Sequence, residues 1–369
     1  MPPNIHIYSA YFDNRSIRGT NIPHLPLVRI FGWHDLKAPR ITNVQCLLSV
    51  NKKNFSRTDV TGDLWRKIES TIIINCQHQE FSHVVPKWVT IVETGVDVSP
   101  TRWILVHNNL QHDYKHRKGK MVMCVQPMRG PYDNFQQLAE SIAFYSVLGV
   151  SHFAFYDYQT TSRVKNMFKK IIRSGISIEI NPWDITWPIP QYGYLGDRYA
   201  QLTQLQDCTY KNQYQYEYIV NVDIDEFIVP LRSGSLPEMM ENISKMYPKS
   251  DYFRFPHVLV CRNRIPAPRP FKSYGNFWIL QNTLRTLIPN NSTWYQKTIY
   301  RPEKVVYTRQ HRSVWLISGS LSTNLDEEAL VFHVKFCTKP IYRRKMIEDQ
   351  IIPKRFGTKI NHVLQQWFP

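Results

Sequence analysis

The sequence predicts an α/β fold: a mostly parallel sheet flanked by helices, preceded by a β-rich amino-terminal region. Three observations predict it. From residue 121 onward, short apolar runs alternate with stretches of helical periodicity at the spacing of βαβ units. Residues 1–118 instead carry short runs rich in Val, Ile, Thr and aromatic residues, interrupted by Pro, Asn and Gly. Between the two lies HDYKHRKGK (112–120), polar and basic, which reads as a linker or exposed loop. A chain of 369 residues, 43% of them hydrophobic, can bury two cores, so two domains are expected, 1–118 and 119–369.

The amino-terminal runs are IHIYSAYF, LVRIFGW, VQCLLSV, TIIINC, WVTIV and RWILVHN, and none carries visible chemistry. MVMCVQP (121–127) then reads as a short apolar strand. NFQQLAESIAFYSVLGV (134–150) sets Phe135, Leu138, Ile142, Tyr145 and Leu148 at helical spacing, with Gly149 as a stop. SHFAFYDY (151–158) is the second strand. TSRVKNMFKKIIRSG (161–175) is a helix with Val164, Phe168 and Ile171 on one face. ISIEI (176–180) alternates as a strand, and DRYAQLTQLQDCTYKN (197–212) is the next helix. YEYIVNVDIDEFIVP (216–230) follows as the fourth strand of the series. In sheets of this kind ligands sit beyond the carboxyl ends of the strands.

Bulk composition narrows the function classes. The chain has 46 basic and 29 acidic residues, a net charge of +17, which favours polyanions or phosphorylated small molecules. The basic residues are scattered, and no finger, recognition-motif or basic-helix signature argues for nucleic acid as partner. A G-x-G-x-x-G turn after the first strand and a Walker loop are both absent, so bound phosphates need another counter-charge. The six cysteines (46, 76, 124, 208, 261 and 337) include no Cys-x-x-Cys pair; disulfides and buried free thiols are both open readings. Sequons begin at Asn14, Asn54, Asn242, Asn290 and Asn291 and tilt towards the secretory route. No apolar run approaches the about 18 residues of a membrane span, and the start lacks a signal pattern. Either the protein is soluble and cytosolic, or membrane attachment comes through an anchor absent from this chain.

The chemistry concentrates in VDIDEF, where Asp223, Asp225 and Glu226 end an apolar run. Burying one unpaired ionised carboxylate costs several kcal/mol or more. On a continuous strand Asp223 and Asp225 point to the same face, where they repel unless a cation sits beside them. A hard divalent ion with oxygen ligands, Mg²⁺ or Mn²⁺, meets that need and can hold a diphosphate. An EF-hand is excluded because its Gly and final Glu are missing. An aspartyl-phosphate phosphatase would want Thr or Val two residues beyond the second Asp, on the domain's first strand. Here Phe227 and the fourth strand stand instead.

The order of blocks then becomes recognisable. CVQPMRGPYDNFQQLAESIAFYSVLGVSHFAFYDY, the Asp207–Cys208 pair, VDIDEFIVP, QKTIYRPEKVVYTRQH (296–311) and VFHVKF (331–336) together resemble glycosyltransferase family 92. The resemblance implies a GT-A fold, a UDP-galactose donor, Mn²⁺ as cofactor and inversion at the anomeric carbon. Animal members add β-galactose to fucose on N-glycan cores, and plant members extend pectic galactan. It also implies a Golgi-lumen setting and a glycan or glycoprotein acceptor. Asp225 would bind the metal directly, and Asp223 would bind it through water or hold the ribose. His333 is expected as a further ligand, with His311 as its alternative. Pro127, Met128 and Arg129 after the first strand and Asp157 at the end of the second would face the nucleotide. Arg198 and Lys297 are candidate diphosphate contacts. Glu226 would act as a supporting residue, the partner of an Arg, or the catalytic group. The general base is not placed by sequence; Glu238, Asp251, Glu303, Asp326, Glu327 and Glu328 are the acids that follow the motif. Trp278, Trp294 and Trp315 are candidates for stacking on acceptor sugars. Two rival readings remain: a metal-dependent phosphatase or nucleotide hydrolase, and a non-catalytic secreted carbohydrate-binding protein.

Overall fold

The computed structural model describes residues 5–15, 26–34, 43–61, 71–77, 85–95, 102–107, 117–128, 130–185, 200–262, 271–290, 292, 295–309, 314–317, 320–337 and 345–368. The β-type runs of the amino-terminal region close into a barrel. Its strands are β1 (Ile5–Asp13), β2 (Leu27–His34), β3 (Val44–Ser49), β4 (Phe55–Thr61), β5 (Thr71–Gln77), β6 (Trp88–Glu93) and β7 (Ile104–His107). The order is β1-β2-β5-β4-β3-β6-β7, and parallel pairing of β1 with β7 closes the ring. Closure leaves no unpaired edge, which suits short strands that could not stand alone. Ile7, Ile30, Leu48, Ile74 and Ile91 fill its interior.

The second body begins with β8 (Gly119–Val125), α1 (Phe135–Val147), β9 (His152–Asp157), α2 (Ser162–Arg173), β10 (Ile178–Pro182), α3 (Gln201–Lys211) and β11 (Tyr216–Val222). There follow β12 (Glu226–Pro230), α4 (Leu236–Met246), β13 (Ser250–Phe255), β14 (His257–Cys261), β15 (Leu284–Thr286) and β16 (Lys297–Tyr300). The last strands are β17 (Val305–Thr308), β18 (Val314–Leu316), β19 (Leu321–Asn324), β20 (Ala329–Lys335) and β21 (Met346–Glu348). One sheet has the order β10-β9-β8-β11-β16-β13-β19. In it β10, β9, β8 and β11 run parallel, β16 runs against both β11 and β13, and β19 runs with β13. A second, mixed sheet has the order β12-β20-β14-β15-β21.

Two expectations change here. The run 216–230 is not one strand: β11 stops at Val222, and Glu226 starts β12 in the other sheet. Alternation along a single strand therefore does not apply to Asp223 and Asp225. The amino-terminal region is also more than an appendage. α3 packs against β2 and β5 of the barrel, and Tyr11 of β1 and Tyr156 of β9 both donate to Asp207 of α3, at 2.6 Å each. Trp33 of the barrel shares a buried cluster with Tyr156 and Trp183. All six cysteines are paired, as Cys46–Cys76, Cys124–Cys208 and Cys261–Cys337. The second of these ties β8 to α3.

Candidate active site

The acidic motif occupies the turn at which the chain crosses from one sheet to the other. Glu226 N–H donates to Asp223 O (3.0 Å), and the Glu226 carboxylate accepts from Asp223 N–H (3.0 Å). Tyr145 of α1 braces the turn: its hydroxyl donates to Glu226 O (2.8 Å) and accepts from Ile228 N–H (3.0 Å). Lys297 opens β16, next to β11, and places its ammonium 2.9 Å from Asp223 Oδ2 and 2.9 Å from Glu226 Oε2. The Lys297 side chain is 1% exposed and that of Glu226 is 4%. Burial alone would lower the lysine pKa; the two carboxylates outweigh it and raise it. Burial pushes the Glu226 carboxyl up, and Lys297 opposes that shift. This ammonium is what makes the acids tolerable beneath an apolar strand.

Asp225 is placed differently. Its side chain is 29% exposed, and its Oδ2 lies 3.3 Å from His333 Nε2. The β12–β20 register, Glu226 opposite His333, brings the pair together, and Val334 N–H donates to Asp225 O (2.9 Å). The other ring nitrogen of His333, Nδ1, lies 3.0 Å from His257 Nε2. Burial lowers the His333 pKa, but the Asp225 hydrogen bond and the Glu226 and Asp225 charges outweigh it, so the net shift is upward. Asp225 and His333 thus present an oxygen and a nitrogen side by side, a donor set that suits a divalent transition ion. Among the described residues, no three His, Cys, Asp or Glu side chains are grouped to hold a metal. Asp223 does not join the pair, because its Oδ2 is engaged by Lys297.

A cleft of about 160 Å³ opens beside this turn, lined by Val125, Gln126, Pro127, Met128, Tyr132 and Ile224. It lies beyond the carboxyl ends of β8 and β11, where an open α/β sheet takes its ligand. Pro127 and Met128 thus form part of the wall of this cleft. Asp157 does not line this cleft; its carboxylate accepts from Thr160 N–H (2.9 Å) and lies 3.6 Å from Lys165, capping the turn after β9. Lys297, expected at the diphosphate, serves instead as counter-ion to Asp223 and Glu226. Glu226 is sealed from solvent in that pair, which answers the expectation of a basic partner with a lysine rather than an arginine. Arg129, Arg198, His311 and Trp294 lie outside the described residues.

The later acids are occupied elsewhere. Glu238 accepts from Gly234 N–H ahead of α4, Asp251 pairs with Arg301, Glu303 with Arg117, and Glu327 and Glu328 with Arg232. Asp326 is exposed on a turn. Trp315 packs on Tyr307 in the β17–β18 hairpin. Trp278 lies under the Arg262 guanidinium.

Sequence reasoning missed Gln126, Tyr132 and Glu140. Gln126 and Tyr132 flank the quoted Pro127–Met128 pair, and distance from the strand end was their one available signal. Glu140 lies on α1, between the apolar positions Leu138 and Ile142. It is buried and accepts from the N–H groups of Trp278 and Ile279 (3.0 and 2.9 Å) and from Gln136 Nε2 (2.7 Å), fixing Trp278 in place. Burial raises its carboxyl to about 7, well above the ordinary glutamate range, despite those donors. A raised folded pKa contributes stability that is complete below the unfolded value and is lost as pH rises through the folded one. Unfolding free energy is therefore expected to fall by at most about 3 kcal/mol between pH 4.5 and 7.5. Glu140→Gln should flatten that slope. Urea titrations of both proteins at the two pH values check it, and equal slopes would remove Glu140 as the source.

The geometry can be set beside known proteins. A model described as Glycosyltransferase family 92 matches residues 119–368. No curated protein matches the chain. Among solved structures, the chain resembles TarS 1–349 from S. aureus at 13% identity and a TM-score of 0.32, covering 67% of this chain and 65% of that one. It also resembles a mycobacterial protein at 10% identity and a TM-score of 0.27, covering 69% and 75%. A UDP-glucose pyrophosphorylase complexed with UDP-glucose matches at 11% identity and a TM-score of 0.26, covering 67% and 99%. The chain thus spans about 65% of the TarS chain it matches.

Proposed function

The chain belongs to glycosyltransferase family 92, and on that footing we propose that it moves galactose from UDP-galactose to a glycan acceptor. In this reading the new linkage is β, formed with inversion, and Mn²⁺ is the cofactor. One observation carries it: the acidic turn, joined by His333, stands at the mouth of a cleft beyond the ends of β8 and β11.

The residues divide the work. The cleft between Pro127, Met128 and Tyr132 takes the uracil ring by apolar and stacking contact. Asp225 and His333 would hold the cation, with Asp223 reaching it at most through water. When bound, that ion neutralises the donor diphosphate and stabilises charge on the departing UDP. Lys297 and Glu226 keep the turn rigid, so the Asp225 carboxylate is held in place before substrate arrives. His257, touching His333 Nδ1, orients the imidazole so that Nε2 faces Asp225.

Three buried disulfides suit an oxidising compartment, and the sequon residues Asn54 and Asn242 are exposed, so the proposed setting is the secretory pathway, in the Golgi lumen. No helix among the described residues is long and apolar enough to cross a membrane.

The test is label transfer from UDP-galactose to a glycan carrying core fucose, with and without EDTA. The expected result is a β-linked galactose product, lost on chelation and restored by Mn²⁺. Phosphate release without transfer would instead favour the hydrolase. Glycan binding indifferent to EDTA, with no turnover, would favour a binding protein.

A further inference from the structure

Arg262 stands just past the end of β14, and its N–H donates to Lys335 O (2.9 Å) beside the Cys261–Cys337 disulfide. Its guanidinium carbon lies 3.2 Å from the centroid of the Trp278 ring and 4.8 Å from that of Phe336. Glu140 accepts from the backbone N–H of Trp278 and so anchors the segment that carries this ring. Its Nε is buried without a hydrogen-bond partner, and among the described residues no ion pair uses the guanidinium. A charged group with idle donors in a partly desolvated place is costly unless something accepts from it.

Its position says what that acceptor is. Tyr132 lines the cleft and lies within electrostatic reach of both Asp225 and Arg262. Asp225 and Glu140 act in turn on Arg262, opposing the downward pull of its burial. Leu259 of β14 pairs with His333 of β20, and Arg262 follows three residues later, so it belongs to the same stretch of sheet as the Asp225–His333 pair beside the cleft. The donor diphosphate carries two negative charges and gains a third as UDP departs, one more than a divalent ion cancels, and Lys297 is already committed to Asp223 and Glu226. Arginine offers five N–H donors in a planar fork that matches phosphate oxygens.

We propose that Arg262, stacked on Trp278 with Phe336 nearby, grips the diphosphate of the nucleotide donor. This rests on the donor reading above. The ring stack makes the contact stiff, so little side-chain entropy is lost on binding.

The test is calorimetry with uridine, UMP and UDP in the presence of Mn²⁺, on wild type, Arg262→Met and Arg262→Lys. Wild type should bind UDP more tightly than uridine. Arg262→Met should weaken UDP by about tenfold to a hundredfold and leave uridine within about twofold. Arg262→Lys should fall between them. If Arg262→Met keeps the full advantage of UDP over uridine, or weakens both ligands equally, the assignment is overturned. If wild type binds neither uridine nor UDP, the donor reading fails, and this assignment fails with it. The two failures are distinguishable because only the second appears in the unmutated protein.

Discussion

Asp225→Ala should lower sugar transfer by about 10²–10³-fold or more while the protein stays folded. The side chain that is removed is partly exposed, and its carboxylate faces His333 rather than the core. The structural bond at this position comes from Val334 N–H to the backbone oxygen of Asp225, which alanine retains. Loss of function without loss of fold is therefore the signature expected of a residue that meets cation and substrate. The measurement is kcat/KM for UDP-galactose together with the melting temperature of both proteins. Turnover within tenfold of wild type would remove Asp225 from the site.

Lys297→Met should do the opposite and strike stability first. Its ammonium answers two carboxylates, one of them almost wholly buried. Removing one partner of a buried ion pair typically costs about 3–5 kcal/mol, because the remaining charge is left unpaired in a poor solvent. Glu226 would take up a proton to escape that cost, and Asp223, still partly exposed, would turn towards water. The turn would then lose the bond from Asp223 N–H to the Glu226 carboxylate. Urea unfolding at pH 7 checks this. Adding Glu226→Gln to Lys297→Met should recover part of the loss, since it removes the stranded charge as well. A cost below about 1 kcal/mol for Lys297→Met would mean that the carboxylates are compensated from elsewhere.

The two substitutions separate the roles that sequence alone had merged. The sequence sets Asp225 and Asp223 at the metal or ribose and leaves Glu226 as a supporting residue, the partner of an Arg, or the catalytic group. In the fold Asp223 and Glu226 surround Lys297, while Asp225 faces outward to His333, whose Nδ1 also lies 3.6 Å from Glu226 Oε1. Nothing local distinguishes the two sets. The division follows from strand partners: β16 brings Lys297 to the end of β11, and β20 brings His333 opposite Glu226. Lys297 is 71 residues beyond Glu226 and His333 is 107 beyond it, by subtraction of their positions. Spacing along the chain carries no information about such pairings.

Much else was legible beforehand. Helical spacing marked α1 and α2 because a helix buries one face, and its apolar residues must recur with its turn. The short β-type runs marked the barrel strands for the corresponding reason at period two, although their closure into a ring was not visible. The break at Asp223–Asp225 was missed because the flanking segments are both apolar and both extended. A strand that changes sheets reads like one that continues. Asp157 was misplaced for a related reason: a strand-end carboxylate can face a ligand or cap its own turn, and the choice lies with Thr160 and Lys165.

By itself the sequence determined the α/β alternation, the family, the acidic motif and its location at a strand end. These depend on local periodicity and on residues adjacent in the chain. Tertiary structure alone decided which acids are held by Lys297 and that Asp225 faces His333 at the surface. It also joined all six cysteines and set the Arg262 guanidinium over the Trp278 ring. Each of these depends on groups far apart in sequence, whose charges and surfaces interact only once the sheets have paired.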